Sequence, residues 1–177
     1  MQSACSQSIS LSMNAEAGHL ISRLGLIPLP GEGGFFTVTW TSTIRGPDGR
    51  PLGSAILFLI TETDFSALHR IGTDEIWHFH AGDPAELTLL GPEAGSCRAI
   101  VLGPDVGGAH AAQAVVPAGT WQAARIRPSG PVGTRGWSLF GCTLSPAWDE
   151  REFELGQRET LLSEFPGHAG LIRALTR

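Results

Sequence analysis

Lysine and tyrosine are both missing from this chain of 177 residues, and all twelve basic residues are arginine. Without lysine there is no Schiff-base amine and no phosphate-loop ammonium, which removes two classes of chemistry. Cysteine is scarce. Cys5, Cys97 and Cys142 are odd in number and lack a Cys-x-x-Cys spacing, which fits a reducing compartment and thiols acting as small apolar residues. No stretch approaches the roughly 20 apolar residues needed to cross a bilayer. Met1 to Ser12 also lacks the basic start and apolar core of a secretory signal. A cytoplasmic protein with no membrane partner is expected. Residues 1–13 read as a disordered extension and residues 14–177 as one domain. Positive charge is in short supply too: the net charge is −5 and the arginines are scattered. No phosphate-tracking face emerges, so nucleic acid is excluded as a partner.

What the chain does have is turn chemistry. Its 23 Gly and 12 Pro, with 42% hydrophobic residues, suit many short strands joined by tight turns. The length allows roughly 70% of the unfolded surface to be buried in a single core.

The spacing of Leu20, Ile21, Leu24 and Leu26 predicts a helix over Asn14–Leu26, capped by Asn14 and stopped by Pro28 and Pro30. Pro30 to Gly34 is then a glycine-bearing turn that precedes a strand, so it is not a phosphate loop. Phe36, Val38 and Trp40 alternate with threonines and predict a half-buried strand. Ser54–Thr61 is continuously apolar and predicts a central strand covered on both faces. Phe65–Ile71 and Glu75–Ala81 read as a hairpin. Ala85–Leu90, Ser96–Leu102, Ala114–Val116, Trp121–Ile126 and Gly136–Leu144 bring the total to about nine strands at roughly 8–12-residue spacing, a sandwich or barrel pattern. Two short amphipathic helices, Arg158–Glu164 and His168–Leu175, follow, split by Pro166.

Polar residues of interest cluster in two places, His69 to Gly82 and Pro117 to Gln122. With a three-residue loop at Ile71-Gly72-Thr73, His69 stands directly opposite Glu75 on one strand face. An imidazole beside a carboxylate can be two metal ligands, a base with its orienting partner, or a structural pair. By alternation Trp77 and Phe79 share the face of Glu75 and line the cavity, while His78 and His80 point away. Trp121 is either a stacking wall or barrel core. Arg70 reads as an ion-pair residue, Asp74 as a turn residue, and His110 as a loop histidine.

These motifs resemble the cupin superfamily. Its first motif runs Gly, five residues, His-x-His, three or four residues, Glu, six residues, Gly. Here His69, Glu75 and Gly82 take the first His, the Glu and the closing Gly, and Ile71 replaces the second His. Its second motif is Pro-x-Gly-x-x-His, matched by Pro117 and Gly119 with Gln122 in place of the histidine. The chain resembles most the fifth cupin family, through Leu24 to Pro28, Glu32 to Phe36, Phe65 to Arg70, Asp74 to Phe79, Ala81 to Pro84, Val116 to Ala123 and Gly141 to Thr143. The resemblance implies an all-β double-stranded β-helix (a jelly-roll barrel) with an N-terminal helix and short C-terminal helices. It also implies a homodimer built on the N-terminal strands. Relatives carry Arg-Glu-Thr-Tyr where this chain has Thr37-Val38-Thr39-Trp40, so its pocket is more apolar than theirs. The absent tyrosine excludes the tyrosine acid of epimerases with this fold.

Three functions follow as expectations. In the first, a small polar molecule binds and His69 and Glu75 are the acid–base pair of an isomerase, epimerase or lyase. There Gln122 orients the substrate and Trp77, Phe79 and Trp121 exclude water. In the second, the barrel is a non-catalytic ligand-binding or sensing module with a degenerate metal site. In the third, His69, Glu75 and Gln122 hold a divalent metal ion, a poor set for a transition metal that prefers more imidazole.

Overall fold

The computed structural model of the protein describes residues 14–91, 95–127 and 134–177. The extension expected over residues 1–13 lies outside them. In chain order the elements are α1 (Ala15–Leu24), β1 (Ile27–Pro28), β2 (Phe35–Thr41), β3 (Ser54–Thr61), β4 (Ser66–Ile71), β5 (Glu75–Gly82) and β6 (Ala85–Leu90). Then come β7 (Cys97–Leu102), β8 (Gln113–Val116), β9 (Trp121–Ile126), β10 (Trp137–Leu144), β11 (Phe153–Leu155), α2 (Arg158–Glu164) and α3 (Ala169–Leu175). The two strands beyond the expected nine, β1 and β11, are two and three residues long. They add to sheet edges and carry no periodicity of their own.

The strands form two antiparallel sheets, ordered β1-β2-β3-β10-β5-β8 and β11-β4-β9-β6-β7. This is the double-stranded β-helix. From β3 to β6 the chain changes sheet at every step, which overturns the hairpin expected at Gly72. Strand β4 pairs with β9 and β11, and β5 pairs with β10 and β8. Both edges of each strand are therefore occupied by other partners. The turn between them is a corner of the barrel, and the Gly72 N–H donates to the Glu152 carbonyl instead of closing a hairpin. The next corner needs Gly82: its φ is 101°, and a Cβ there would lie 2.3 Å from the Trp137 carbonyl oxygen.

Strand β3 lies between β2 and β10 as its apolar run requires. Strand β2 departs from expectation, because Val38 and Trp40 are exposed. The strand sits near the sheet edge, and its register to β3 shifts between Val38 and Trp40, so its outer half leaves the core.

Three apolar clusters hold the elements together. Phe58, Trp77, Leu87 and Phe140 fill the space between the sheets. Leu68, Trp121 and Ala123 from β4 and β9 pack under Leu161, Ile172 and Leu175 of α2 and α3. Ala17 of α1 packs with Leu59 and Trp137. The Asn14 side chain caps α1 by accepting from the Glu16 N–H, and Gly25 ends it in the left-handed conformation. The two C-terminal helices fall where their spacing predicts, joined by a tight turn at Pro166–His168.

Candidate functional site

One end of the barrel is hollow. A cavity of about 430 Å³ enters between β2, β3, β10 and the segment 147–153. Its exposed lining residues Val38, Thr41, Trp148 and Glu150 mark the mouth. Its wall is apolar, from Phe36, Ile56 and Phe58 on one side to Ile71, Leu144 and Phe153 on the others. Polar groups gather deeper in, where buried Glu32, His69 and Glu75 line the cavity with Trp77 and Cys142.

His69 and Glu75 do share the cavity, although not as cross-strand neighbours. One projects from each sheet, so they face each other through the interior. His69 is held by its ring nitrogen Nδ1, 2.8 Å from the Ala67 carbonyl oxygen. A carbonyl only accepts, so Nδ1 carries the proton. The ring also stacks on Phe153, with centroids 5.6 Å apart. Nε2 is left with no partner among the described residues.

Gln122 is opposite His69 in the register of β4 and β9. Its amide nitrogen donates to Glu75 Oε2 at 2.6 Å, and its oxygen accepts from the Trp77 indole at 2.9 Å. The indole N–H can only donate, which fixes the amide's orientation. All three side chains are almost fully buried. Gln122 is thus a strut that fixes Glu75, and it does not line the cavity.

Glu32 is the member that the sequence reading missed. It stands in the glycine-rich turn after β1, where Gly33 has φ 97° and a Cβ would lie 2.4 Å from the Phe65 carbonyl oxygen. Only glycine lets the turn approach β4 this closely. There the Glu32 carbonyl accepts from the Ala67 N–H, and Glu32 Oε1 accepts from the Ser66 hydroxyl at 2.8 Å. The same oxygen lies 3.8 Å from His69 Nδ1. A carboxylate among glycines reads as a turn residue, and its only other signal was its place in the family motif.

Burial raises the pKa of both carboxyls above the ordinary glutamate range. For Glu75 the His69 imidazole and the Gln122 amide oppose that rise and the Glu32 charge adds to it. For Glu32, His69, Ser66 and Arg177 oppose it. Burial also pushes the Cys142 thiol well above its usual range, so it is a protonated neighbour of Glu75 with no nucleophilic character.

The remaining residues take other places. Trp77 lines the cavity. Phe79 packs on Phe140, centroids 6.1 Å apart, off the cavity wall. Trp121 faces the opposite side of β9 from Gln122 and is core beneath α2 and α3. The Arg70 guanidinium covers it at 4.5 Å and pairs with Glu154 at 2.6 Å. Asp74 accepts from the Ala118 N–H at the corner. His78 faces outward onto the Thr143 hydroxyl, His80 is exposed, and His110 accepts from the Asp105 N–H in its loop.

The side chains present do not fit a divalent metal ion. Among the described residues no three His, Cys, Asp or Glu groups are placed to hold one. The amide oxygen of Gln122, expected as the third ligand, is engaged by the indole. No helix among them is long and apolar enough to cross a membrane.

A sequence profile described as "Cupin superfamily (DUF985)" matches residues 18–156. The X-ray structure of a protein from Shewanella oneidensis is similar at 31% identity and a TM-score of 0.82, covering 94% of this chain and 99% of that one. A hypothetical protein from Leishmania major is similar at 30% identity and a TM-score of 0.82, covering 93% and 99%. A formate complex of oxalate decarboxylase from Lactobacillus farciminis has 12% identity and a TM-score of 0.52, covering 88% of this chain and 43% of that one. At that identity the likeness is one of fold alone. No curated protein matches the chain.

Proposed function

Because the chain belongs to the cupin superfamily, in the family described as DUF985, we propose that it binds a small molecule end-on in the barrel. The apolar body of the ligand lies along Phe36, Ile56 and Phe58, and its polar head reaches Glu32, His69 and Glu75. One observation carries this reading: three buried polar side chains with unpartnered atoms end a cavity whose remaining wall is mainly apolar. The volume falls within the range of about 300–1,000 Å³ typical of small-molecule sites. A ring-sized body burying about 150 Å² contributes roughly 4 kcal/mol at ~25 cal/mol per Å². That corresponds to about millimolar affinity, so the head must supply the remainder and the specificity.

Calorimetry with an uncharged aromatic fragment such as indole tests the cavity. The wild-type chain is expected to bind it, and Ile56→Trp, which fills the wall, to weaken binding by about tenfold or more. Fragment binding unchanged in that variant, with its melting temperature preserved, places the ligand elsewhere.

A second reading is favoured by the protonation geometry. With Nδ1–H on a carbonyl, His69 offers Nε2 as a base, and the nearby Glu32 carboxyl steadies an imidazolium. Glu75, which burial helps keep protonated, returns a proton at another atom of the same ligand. Such an isomerisation conserves all atoms and needs no oxidant. Its signature is exchange of carbon-bound hydrogen for solvent deuterium that is lost in His69→Gln.

The assembly proposed is a homodimer. Strand β1 covers only Phe35 and Phe36 of β2, which leaves an outer edge carrying exposed Val38 and Trp40. An apolar edge of this kind pairs readily with a second copy. Light scattering at micromolar concentration should return about twice the 18.7 kDa chain mass. A monomer mass refutes the dimer and leaves the cavity reading untouched.

A further inference from the structure

The unpartnered atoms at the inner end of the cavity share one property. Glu75 Oε1 and Glu32 Oε2 are carboxyl oxygens, and His69 Nε2 is the lone-pair edge of a ring whose other nitrogen already donates to Ala67. With the two carboxyls ionised, the form that a cationic neighbour favours, each of them accepts a hydrogen bond. The strong donors around them are engaged: Ser66 on Glu32, the Gln122 amide on Glu75, and the Trp77 indole on Gln122, which leaves only the Cys142 thiol beside Glu75, a weak donor. No arginine lines the cavity among the described residues, and the chain has no lysine. Arg177, the basic residue nearest Glu32, donates through its Nη2 to Asp64 and the Phe65 carbonyl.

Resting on the small-molecule reading above, we propose that the ligand head is a primary amine. Its ammonium gives one N–H each to Glu75, Glu32 and His69, and its apolar body extends toward the mouth. An ammonium carries three donors and no acceptor, which matches the three atoms presented. Its charge supplies the partner that two buried carboxyls lack, and charge-assisted bonds are about twice as strong as neutral ones. A carboxylate or phosphate head would add a third acid beside Glu32 and Glu75 with no guanidinium to receive it. An alcohol brings a single donor and leaves two acceptors unmet. With Nε2 engaged by the head, His69 becomes a recognition group. The site is then a receptor, and the deuterium exchange described above is silent for amine ligands.

Calorimetry on the full chain with phenethylamine, phenethyl alcohol and phenylacetate compares three heads on one skeleton. The amine is expected to bind on the order of tenfold tighter than the alcohol, and phenylacetate to give no measurable heat. Glu75→Gln and Glu32→Gln should each weaken the amine while leaving the alcohol within about twofold. Alcohol or phenylacetate equalling the amine overturns the amine assignment, and retained indole binding then keeps the cavity reading alive. Failure of all three ligands and of indole overturns both. Amine affinity that survives both variants reports a surface site on this acidic chain and equally overturns the assignment.

Discussion

Replacing Gln122 with leucine is expected to destabilise the protein by about 3 kcal/mol. Leucine matches the amide in size but removes both bonds it makes, to Glu75 Oε2 and from the Trp77 indole. Both partners stay buried, with Trp77 at 1% exposure and Glu75 at 5%, so water does not replace the lost bonds. A buried polar group left without a partner costs roughly 1–3 kcal/mol, and here two are stranded together. Urea unfolding checks the number, with the midpoint moving and the slope unchanged. A loss under about 0.5 kcal/mol would show that the strut is not holding. Adding Trp77→Phe removes one stranded donor, so the double variant should lose less than the sum of the single ones. The change also reaches the site, because a carboxyl freed from Gln122 can rotate and presents Oε1 to a ligand less often.

The strut also illustrates what the sequence could and could not reveal. Alternation and turn residues were enough to place nearly all the long strands and all three helices, since each follows from local periodicity. Pairing was another matter. Two strands joined by a short glycine turn look like a hairpin, and nothing local in Ile71 to Asp74 says that the chain changes sheet there. That information lies in the partners, β9 and β11 on one side and β10 and β8 on the other, which are distant in sequence. His69 and Glu75 were singled out through a local geometry they do not have, and they meet because the two sheets face one another. Gln122 was given a ligand's part because the motif aligns it with a histidine. Its actual use depends on Trp77 standing across the barrel, a contact invisible to spacing. Glu32 was hidden for the same reason, its position depending on how closely Gly33 lets the turn approach β4. Trp121 shows that an aromatic at the right motif position says nothing of which face it takes when helices cover the other side of the sheet.

Between the ordinary glutamate value of 4.5 and their raised folded values, Glu75 and Glu32 are expected to make the protein less stable as pH rises. Below that window both the folded and the unfolded chain keep these protons, and the contribution is fully present. Within it the unfolded chain has released them while the native state retains them. The native state then binds more protons, so stability falls with increasing pH until the folded carboxyls ionise as well. The physical cause is burial: ionising either acid inside the barrel places a charge among apolar walls with only His69 and a few hydrogen bonds to receive it. Glu75→Gln keeps an oxygen to accept from the Gln122 amide and never ionises. It should therefore be more stable than the wild type at about pH 8 and gain nothing at about pH 4, with Glu32→Gln following the same sign. Glu16 and Asp149 act in the opposite sense, because the hydrogen bonds of Arg135 and Arg151 hold them below the usual range. Glu16 is exposed and Asp149 half-buried; the effect of both lies on the acid side, and comparing variant with wild type at each pH cancels them. Urea unfolding of the three proteins across that range supplies the curves. Parallel curves for wild type and Glu75→Gln would mean that the inner end of the cavity is as wet as bulk solvent. A head group would then have to compete with water for every bond, and the specificity assigned to Glu75 would be lost. Diverging curves mark the carboxyl as buried and in need of a partner, which is the state a ligand's donor can relieve.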